Sequence, residues 1–108
     1  ILLVANSDKQ KARWYAYRLK GDSLTHGKIF YEVSTEAQTM PGLPDGLKVS
    51  KQGVVFATGP GGVWIFDAQG KIIGKIKLPM PAANVALDGA EKTLYITADS
   101  YLLRLNLR

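Results

Sequence analysis

The chain repeats a pattern of short apolar segments at a nearly constant interval. A run that starts at Gly46 matches a run that starts at Asn84, and within these runs Thr58 matches Thr97. In both runs a strand, a turn, a strand, a turn and a strand follow in the same order. The opening ILLVANS is similar to a third copy of TLYITAD. A period of about 40 residues with four strands per unit is typical of β-propeller blades. A β-sandwich also has short, regularly spaced strands, but its hairpins need not resemble one another.

Candidate strands cover nearly the whole chain. Ten segments rich in Val, Ile, Leu, Tyr and Phe are bounded by Gly, Asp, Asn or Pro, as strands usually are. They are ILLVAN, RWYAYRL, KIFYEV, GLKVS, GVVFATG, GVWIFDA, KIIGKIKL, NVALDG, TLYITAD and YLLRLNL. STEAQTM contains helix-forming residues but is too short to stand alone as a helix, so we interpret it as a loop. The predicted fold class is all-β: a single partial β-propeller over 1–108, with blade parts at 1–33, 46–78 and 84–108.

About two and a half blades do not close a ring, since propellers have about 4 to 8 blades. The pattern begins inside a strand and ends inside a blade. We therefore expect the chain to be a fragment with two open apolar blade faces. Large exposed apolar patches mark interfaces, so these faces are expected to self-associate or to pack against missing blades of a parent protein.

The charge pattern argues against two classes of partner. The formal net charge is +5, and the basic residues are scattered. Lys71, Lys75 and Lys77 are spaced to share one strand face, and no aromatic side chains interleave with them as a platform for single-stranded nucleic acid would require. No apolar run approaches the ~20 residues of a membrane span, and the first ten residues lack the pattern of a signal peptide. We expect neither a nucleic-acid nor a membrane partner.

Cysteine is absent, which excludes disulfides, thiolate metal ligands and a thiol nucleophile. The only histidine, His26, lies in the polar segment SLTHG and is predicted to be a turn residue at the surface. A serine-histidine-aspartate triad is therefore unsupported.

The run PDGLKV, residues 44–49, places an acid and a glycine directly before an apolar alternation. Together with GPGG before VWIF, with AANVAL and KTLYITADSYLLRL, and with the opening ILLVANSD, it resembles the gluconolactonase (SMP-30, regucalcin-like) family. The resemblance covers nearly all of the chain and corresponds to the C-terminal part of that family's propeller. It implies a fragment of a six-bladed propeller whose central channel holds one divalent cation. Ca²⁺ is the first expectation for hard oxygen ligands, with Zn²⁺, Mg²⁺ or Mn²⁺ as alternatives.

Two interpretations of Asp45 are open. Asp and Gly both suit turns between strands, which makes Asp45 an ordinary turn residue. The family resemblance instead implies that Asp45 binds the metal and is a candidate general base. The family's other ligands, a glutamate of the first blade and an asparagine of an Asn-Gly pair, have no counterpart among these residues, so they are expected outside this chain.

Three further residues are candidate substrate contacts. Asn6 and Ser7 follow the first strand, where similar proteins place polar residues at the channel mouth, and Asn84 begins another inner strand. Side chains that cap polar turns are the alternative in each case. The aromatic residues Trp14, Trp64, Tyr15 and Tyr17 are predicted to serve blade packing rather than to form a sugar platform.

The resemblance implies a metal-dependent hydrolase of a small-molecule lactone or a sugar-acid ester, with this chain alone incomplete. The alternative is a non-catalytic β-propeller that binds a protein or a carbohydrate, since propellers host many functions. The sequence leaves the compartment open, and exported relatives favour a periplasmic or secreted location.

Overall fold

The computed structural model describes residues 1–107, with His26 described by its backbone alone, so the predicted surface position of that side chain lies outside the described residues. Ten strands account for most of the chain, which confirms the all-β prediction. The strands are β1 (Leu2–Asn6), β2 (Arg13–Lys20), β3 (Ser23–Glu32), β4 (Leu47–Val49), β5 (Val55–Gly59), β6 (Gly62–Phe66), β7 (Ile72–Lys77), β8 (Ala82–Leu87), β9 (Thr93–Ala98) and β10 (Tyr101–Asn106). Single turns of 3₁₀ helix occupy Lys9–Lys11 and Glu36–Gln38, and the second lies within the segment expected to be a loop.

The strands form three antiparallel sheets. Their orders are β1-β2-β3, β4-β5-β6-β7 and β8-β9-β10, so each sheet is a meander of consecutive strands. The four strands predicted between residues 46 and 78 thus form one sheet in chain order. β7 is an edge strand, and the side chains of Lys71 and Lys77 at its two ends are exposed.

The pairing registers show the repeat directly. Leu47 lies opposite Ala57 in the second sheet, and Val85 lies opposite Ile96 in the third. Leu47 and Val85 are equivalent positions on the first strands of the two sheets, and Ala57 and Ile96 are equivalent positions on the second strands. The second pair is one residue further apart in sequence than the first pair. The third sheet therefore has one extra residue in the turn before β9. Apart from that residue the two pairs of strands have the same register, so the two sheets are copies of one unit.

Two apolar cores lie between the sheets. Strand residues alternate in direction, so Val55 and Ala57 join the core shared with the first sheet, while Phe56 joins the core shared with the third. The first core contains Trp14, Trp64 and Phe66, and the second contains Val63, Val85, Leu94 and Ile96. The middle sheet is thus covered on both faces, which explains why β5 and β6 are buried along nearly their whole length. The two tryptophans serve packing, as predicted.

The hairpin between β2 and β3 differs from the sequence prediction. The segment SLTHG was expected to be a polar turn, but β3 already begins at Ser23. Lys20 lies opposite Ser23 and Leu19 opposite Leu24, so only Gly21 and Asp22 make the connection. Gly21 has a φ of +60°, which a two-residue hairpin turn favours. The turn was misplaced because a polar strand outside the core carries no apolar alternation.

Apolar side chains are exposed on the two outer sheets. Val4, Tyr15 and Ile29 lie opposite one another on neighbouring strands of the first sheet, and Val4 and Ile29 are exposed. On the third sheet, Leu102 is 72% exposed and points away from the core against which its neighbour Leu103 packs. Each outer sheet therefore offers an apolar surface to a neighbour. Within residues 1–107 no helix has the length and apolar character needed to cross a bilayer.

Candidate functional site

A cavity of about 630 Å³ opens where connections from all three sheets meet. One side is formed by the connection between β3 and β4, which contributes Met40, Leu43 and Asp45, and another by Pro81 to Ala83 at the start of β8. Ser7, Lys9 and Asp99 reach it from the turns that follow β1 and β9. The cavity therefore lies at the end of the sheets where β4 and β8 begin.

The backbone around Asp45 is held by the second sheet, which it enters at β4, and by the third sheet. The Asp45 N–H donates to the carbonyl of Thr58 over 3.3 Å, and the Gly46 N–H donates to the carbonyl of Ala83 over 2.8 Å. The buried Thr58 hydroxyl donates to the Gly46 carbonyl over 3.0 Å. Asp45 thus leads directly into β4 from a fixed backbone position, and its side chain is exposed on the cavity.

The carboxylate of Asp45 differs from those of Asp67 and Asp88, which cap turns. Asp67 accepts from the Gln69 and Lys71 N–H groups over 2.9 Å each. Asp88 accepts from the Lys92 and Thr93 N–H groups over 2.8 and 3.0 Å. Within residues 1–107 the Asp45 carboxylate forms no such hydrogen bond and no ion pair. The fold therefore does not use this side chain as a turn cap.

Gly46 allows β4 and β8 to approach closely. A Cβ atom at Gly46 would overlap the side-chain amide of Asn84 and lie 2.8 Å from the Asn84 Cα. A contact this short with a backbone atom can be relieved only by moving one of the two strands. The glycine after Asp45 is thus required by packing between the second and third sheets.

We expect Gly46→Ala to lower the free energy of unfolding of the protein by about 1–3 kcal/mol, the usual cost of overpacking. The substitution must push β8 away and displace Asp45 with it, so activity at the cavity should fall as well. Thermal unfolding measures the loss. Gly89→Ala is the matched control, since a Cβ at Gly89 meets no atom within 4 Å, and equal stability of the two variants would contradict the close approach.

The three predicted substrate contacts each bind backbone groups. The Ser7 hydroxyl lines the cavity but donates to the Pro44 carbonyl over 2.6 Å. Asn6 Oδ1 accepts from the Asp8 N–H over 3.2 Å, and Asn84 Oδ1 accepts from the Val85 N–H over 2.9 Å. Ser7 thereby fixes the residue before Asp45. The substrate roles of these residues remain predictions.

Two charged residues that line the cavity, Asp99 and Lys9, were not predicted from the sequence. Asp99 lies in the turn between β9 and β10 with a φ of +56°, and the internal repeat could have indicated it, because it occupies the position of Ser7 in the ILLVANS copy. Lys9 lies in a 3₁₀ turn that Asp8 caps by accepting from the Gln10 N–H over 2.9 Å. No sequence pattern marked Lys9.

The acidic residues of the cavity fit a cation site only in part. Asp45 offers an exposed carboxylate without a protein partner, which suits a hard cation. Among the described residues, however, no group of three or more His, Asp or Glu side chains is arranged to hold a metal ion. A complete coordination shell would require ligands from outside residues 1–107.

The sequence model of the SMP-30/gluconolactonase/LRE-like region matches residues 1–100 of the chain. The chain belongs to this family. Family membership, predicted from PDG and GPGG, is therefore confirmed.

Known members of the SMP-30/gluconolactonase family match the chain along almost all of its length. A gluconolactonase of Zymomonas mobilis is 30% identical over 112 residues, which cover 99% of this chain and 32% of that protein. The structure of a gluconolactonase from Xanthomonas campestris superposes with a TM-score of 0.77 at 30% identity, covering 89% of this chain and 30% of that one. A second solved structure, a putative gluconolactonase, gives a TM-score of 0.72 at 25% identity, with 88% and 31% covered.

The chain thus spans about a third of the length of the family members it matches. Its three antiparallel sheets superpose on propeller gluconolactonases over that third, which confirms the predicted fold class.

Proposed function

We propose that this chain forms part of a lactone hydrolase of the gluconolactonase type, in which Asp45 acts on the substrate. The observation that carries the proposal is the place of Asp45: the backbone of Asp45 and Gly46 is hydrogen-bonded to Thr58 and Ala83, and the exposed Asp45 carboxylate lines the cavity. Asp67 and Asp88 accept hydrogen bonds from turn N–H groups, whereas Asp45, like Asp99, has a carboxylate on the cavity that forms no such bond among the described residues. The relatives named gluconolactonase supply the substrate class: a lactone, or a related sugar-acid ester.

The available carboxylate of Asp45 suits the role of general base. It would accept a proton from the water that attacks the lactone carbonyl, a function that typically accelerates such a step by about 10²- to 10⁴-fold. General base catalysis requires a base within hydrogen-bond reach of the water. The hydrogen bonds of Asp45 and Gly46 to the second and third sheets limit how far the carboxylate can move.

The same carboxylate would also serve as one ligand of a divalent cation. When bound, such a cation supplies a Lewis acid for the carbonyl and favours ionisation of water. Ca²⁺ suits oxygen ligands best, and Mg²⁺, Mn²⁺ or Zn²⁺ are alternatives. The remaining ligands would come from outside residues 1–107, since those residues form no cluster of three.

We further propose that other propeller blades cover the exposed apolar side chains of the two outer sheets. These blades would belong to a longer protein, consistent with the greater length of the relatives, or to a second copy of the chain. The preference for a periplasmic or secreted location stays a prediction.

The test is hydrolysis of glucono-δ-lactone by the full-length protein that carries this chain, followed by the acid released. Dialysis against a strong chelator is expected to abolish the rate above background, and added Ca²⁺ is expected to restore it. Mg²⁺, Mn²⁺ and Zn²⁺ are compared at equal concentration to identify the preferred ion. A folded protein that hydrolyses no lactone with any of the four metals would contradict the proposal and favour the non-catalytic binding module.

A further inference from the structure

We propose that the side chains of Met40 and Leu43 form an apolar wall of the cavity that selects lactones carrying an alkyl substituent. This inference rests on the proposed lactone hydrolysis and names the substrates that this part of the cavity favours. Both residues lie in the connection between β3 and β4 that ends at Asp45.

The residues that line the cavity are of two kinds, charged and apolar. Charged groups come from Lys9, Asp45 and Asp99, whereas the apolar lining comes from Ala37, Met40, Pro41, Leu43, Pro81 and Ala82. A sugar lactone carries a hydroxyl on almost every ring carbon, and each hydroxyl covered by the apolar lining would lose its hydrogen bond to water. An alkyl chain loses nothing there and removes apolar surface from water.

Met40 contacts the second sheet through its thioether, and the residue is 39% exposed. Its Sδ lies 3.7 Å from Lys75 Nζ, and this ammonium lies 4.2 Å from the centre of the Trp64 ring. A Cβ atom at Gly61 would lie 2.9 Å from the same sulfur and 3.3 Å from Lys75 Nζ, so Gly61 and Lys75 lie on one side of the thioether. These contacts place the thioether beside the turn between β5 and β6, at the edge of the cavity that it lines.

The backbone of the connection is anchored to the turn between β5 and β6. The Gly61 N–H donates to the Pro41 carbonyl over 2.8 Å. Gly42 adopts a φ of +98°, and a Cβ there would lie 3.1 Å from the Gly59 carbonyl oxygen. The GPGG turn thus holds the apolar wall against the second sheet and sets its distance from Asp45, which assigns this glycine motif a positioning role.

Met40→Gln in the full-length protein tests the wall, because glutamine keeps the length of methionine and removes its apolar character. The measurement is kcat/KM for δ-decanolactone and for glucono-δ-lactone. The ratio of the two values is expected to fall about tenfold, the lower range for one apolar contact in a specificity pocket. Met40→Leu should preserve the ratio. Ile73→Gln, at a 55% exposed position outside the cavity lining, should leave it unchanged. An unchanged ratio in Met40→Gln would overturn the inference, whether both kcat/KM values stay the same or fall by the same factor.

Binding of an unreactive lactam with the same alkyl chain separates this inference from the proposed hydrolysis. Calorimetry should show binding to the wild type that Met40→Gln weakens about tenfold. If no lactone is hydrolysed but the lactam behaves in this way, the proposed function fails and the apolar wall stands. If gluconolactone is hydrolysed but the lactam does not bind, the apolar wall is wrong and the hydrolase stands.

Discussion

Replacing Asp45 with Asn in the full-length protein is expected to lower kcat for lactone hydrolysis by about 10²- to 10⁴-fold, the usual contribution of a general base. The fold should not change, because the exposed carboxylate of Asp45 supports no turn and no ion pair among residues 1–107. The asparagine amide oxygen can still coordinate a cation, so part of the metal affinity should remain. Asp45→Ala should lose both the rate and the metal affinity.

Asp22→Asn is the matched control for this change. Asp22 is an exposed aspartate in the hairpin turn between β2 and β3 and does not line the cavity, so its neutralisation should change neither rate nor metal content. Initial rates, bound metal and thermal unfolding are measured for each variant. Hydrolysis at the wild-type rate by Asp45→Ala, with unchanged metal content, would return Asp45 to the role of a turn residue.

The strands were predictable because their sequence signals are local and repeated. Val55 and Leu94 occupy equivalent positions in two copies of one unit, and both are buried. A segment that fills the same place in two neighbouring sheets carries the same apolar pattern, so self-comparison predicted the strands. The role of Asp45, taken from the PDG motif, stays a prediction. The hairpin at Gly21 was missed because β3 begins with polar residues that lie outside the cores.

The walls of the cavity were not predictable, since they depend on contacts between residues far apart in sequence. Met40 is placed by Lys75, and Pro41 is bound by Gly61. Neither contact leaves a pattern within a single segment. Asn84 was predicted to begin a strand, but β8 begins two residues earlier, at Ala82. Only the structure shows that the Asn84 side-chain oxygen accepts from the Val85 N–H.

Phe66→Ala is expected to lower the free energy of unfolding more than Gly46→Ala or Asp45→Ala. Phe66 is fully buried, and its ring centre lies 5.0 Å from that of Tyr31 and 5.4 Å from those of Trp14 and Phe30. It therefore joins β6 of the second sheet to β2 and β3 of the first. Removing the ring eliminates these contacts and leaves a cavity between two sheets that cannot close without moving both, at a cost of about 3–5 kcal/mol.

Urea unfolding of the full-length protein measures this loss as a shift of the midpoint at constant slope. Phe66→Leu keeps most of the volume and should cost about 1–1.5 kcal/mol, since volume-conserving apolar exchanges are tolerated best. Ile73→Ala removes an apolar side chain of comparable size that is 55% exposed on β7, and its effect should stay within about 0.5 kcal/mol. Because burial is what separates Phe66 from Ile73, similar losses for the two alanine variants would show that the aromatic core does not hold the first and second sheets together. A loss of stability in Phe66→Ala but not in Ile73→Ala would mean that the Asp45 site depends on this core. The reason is that the Asp45 N–H is bound to Thr58 on β5, the neighbour of β6.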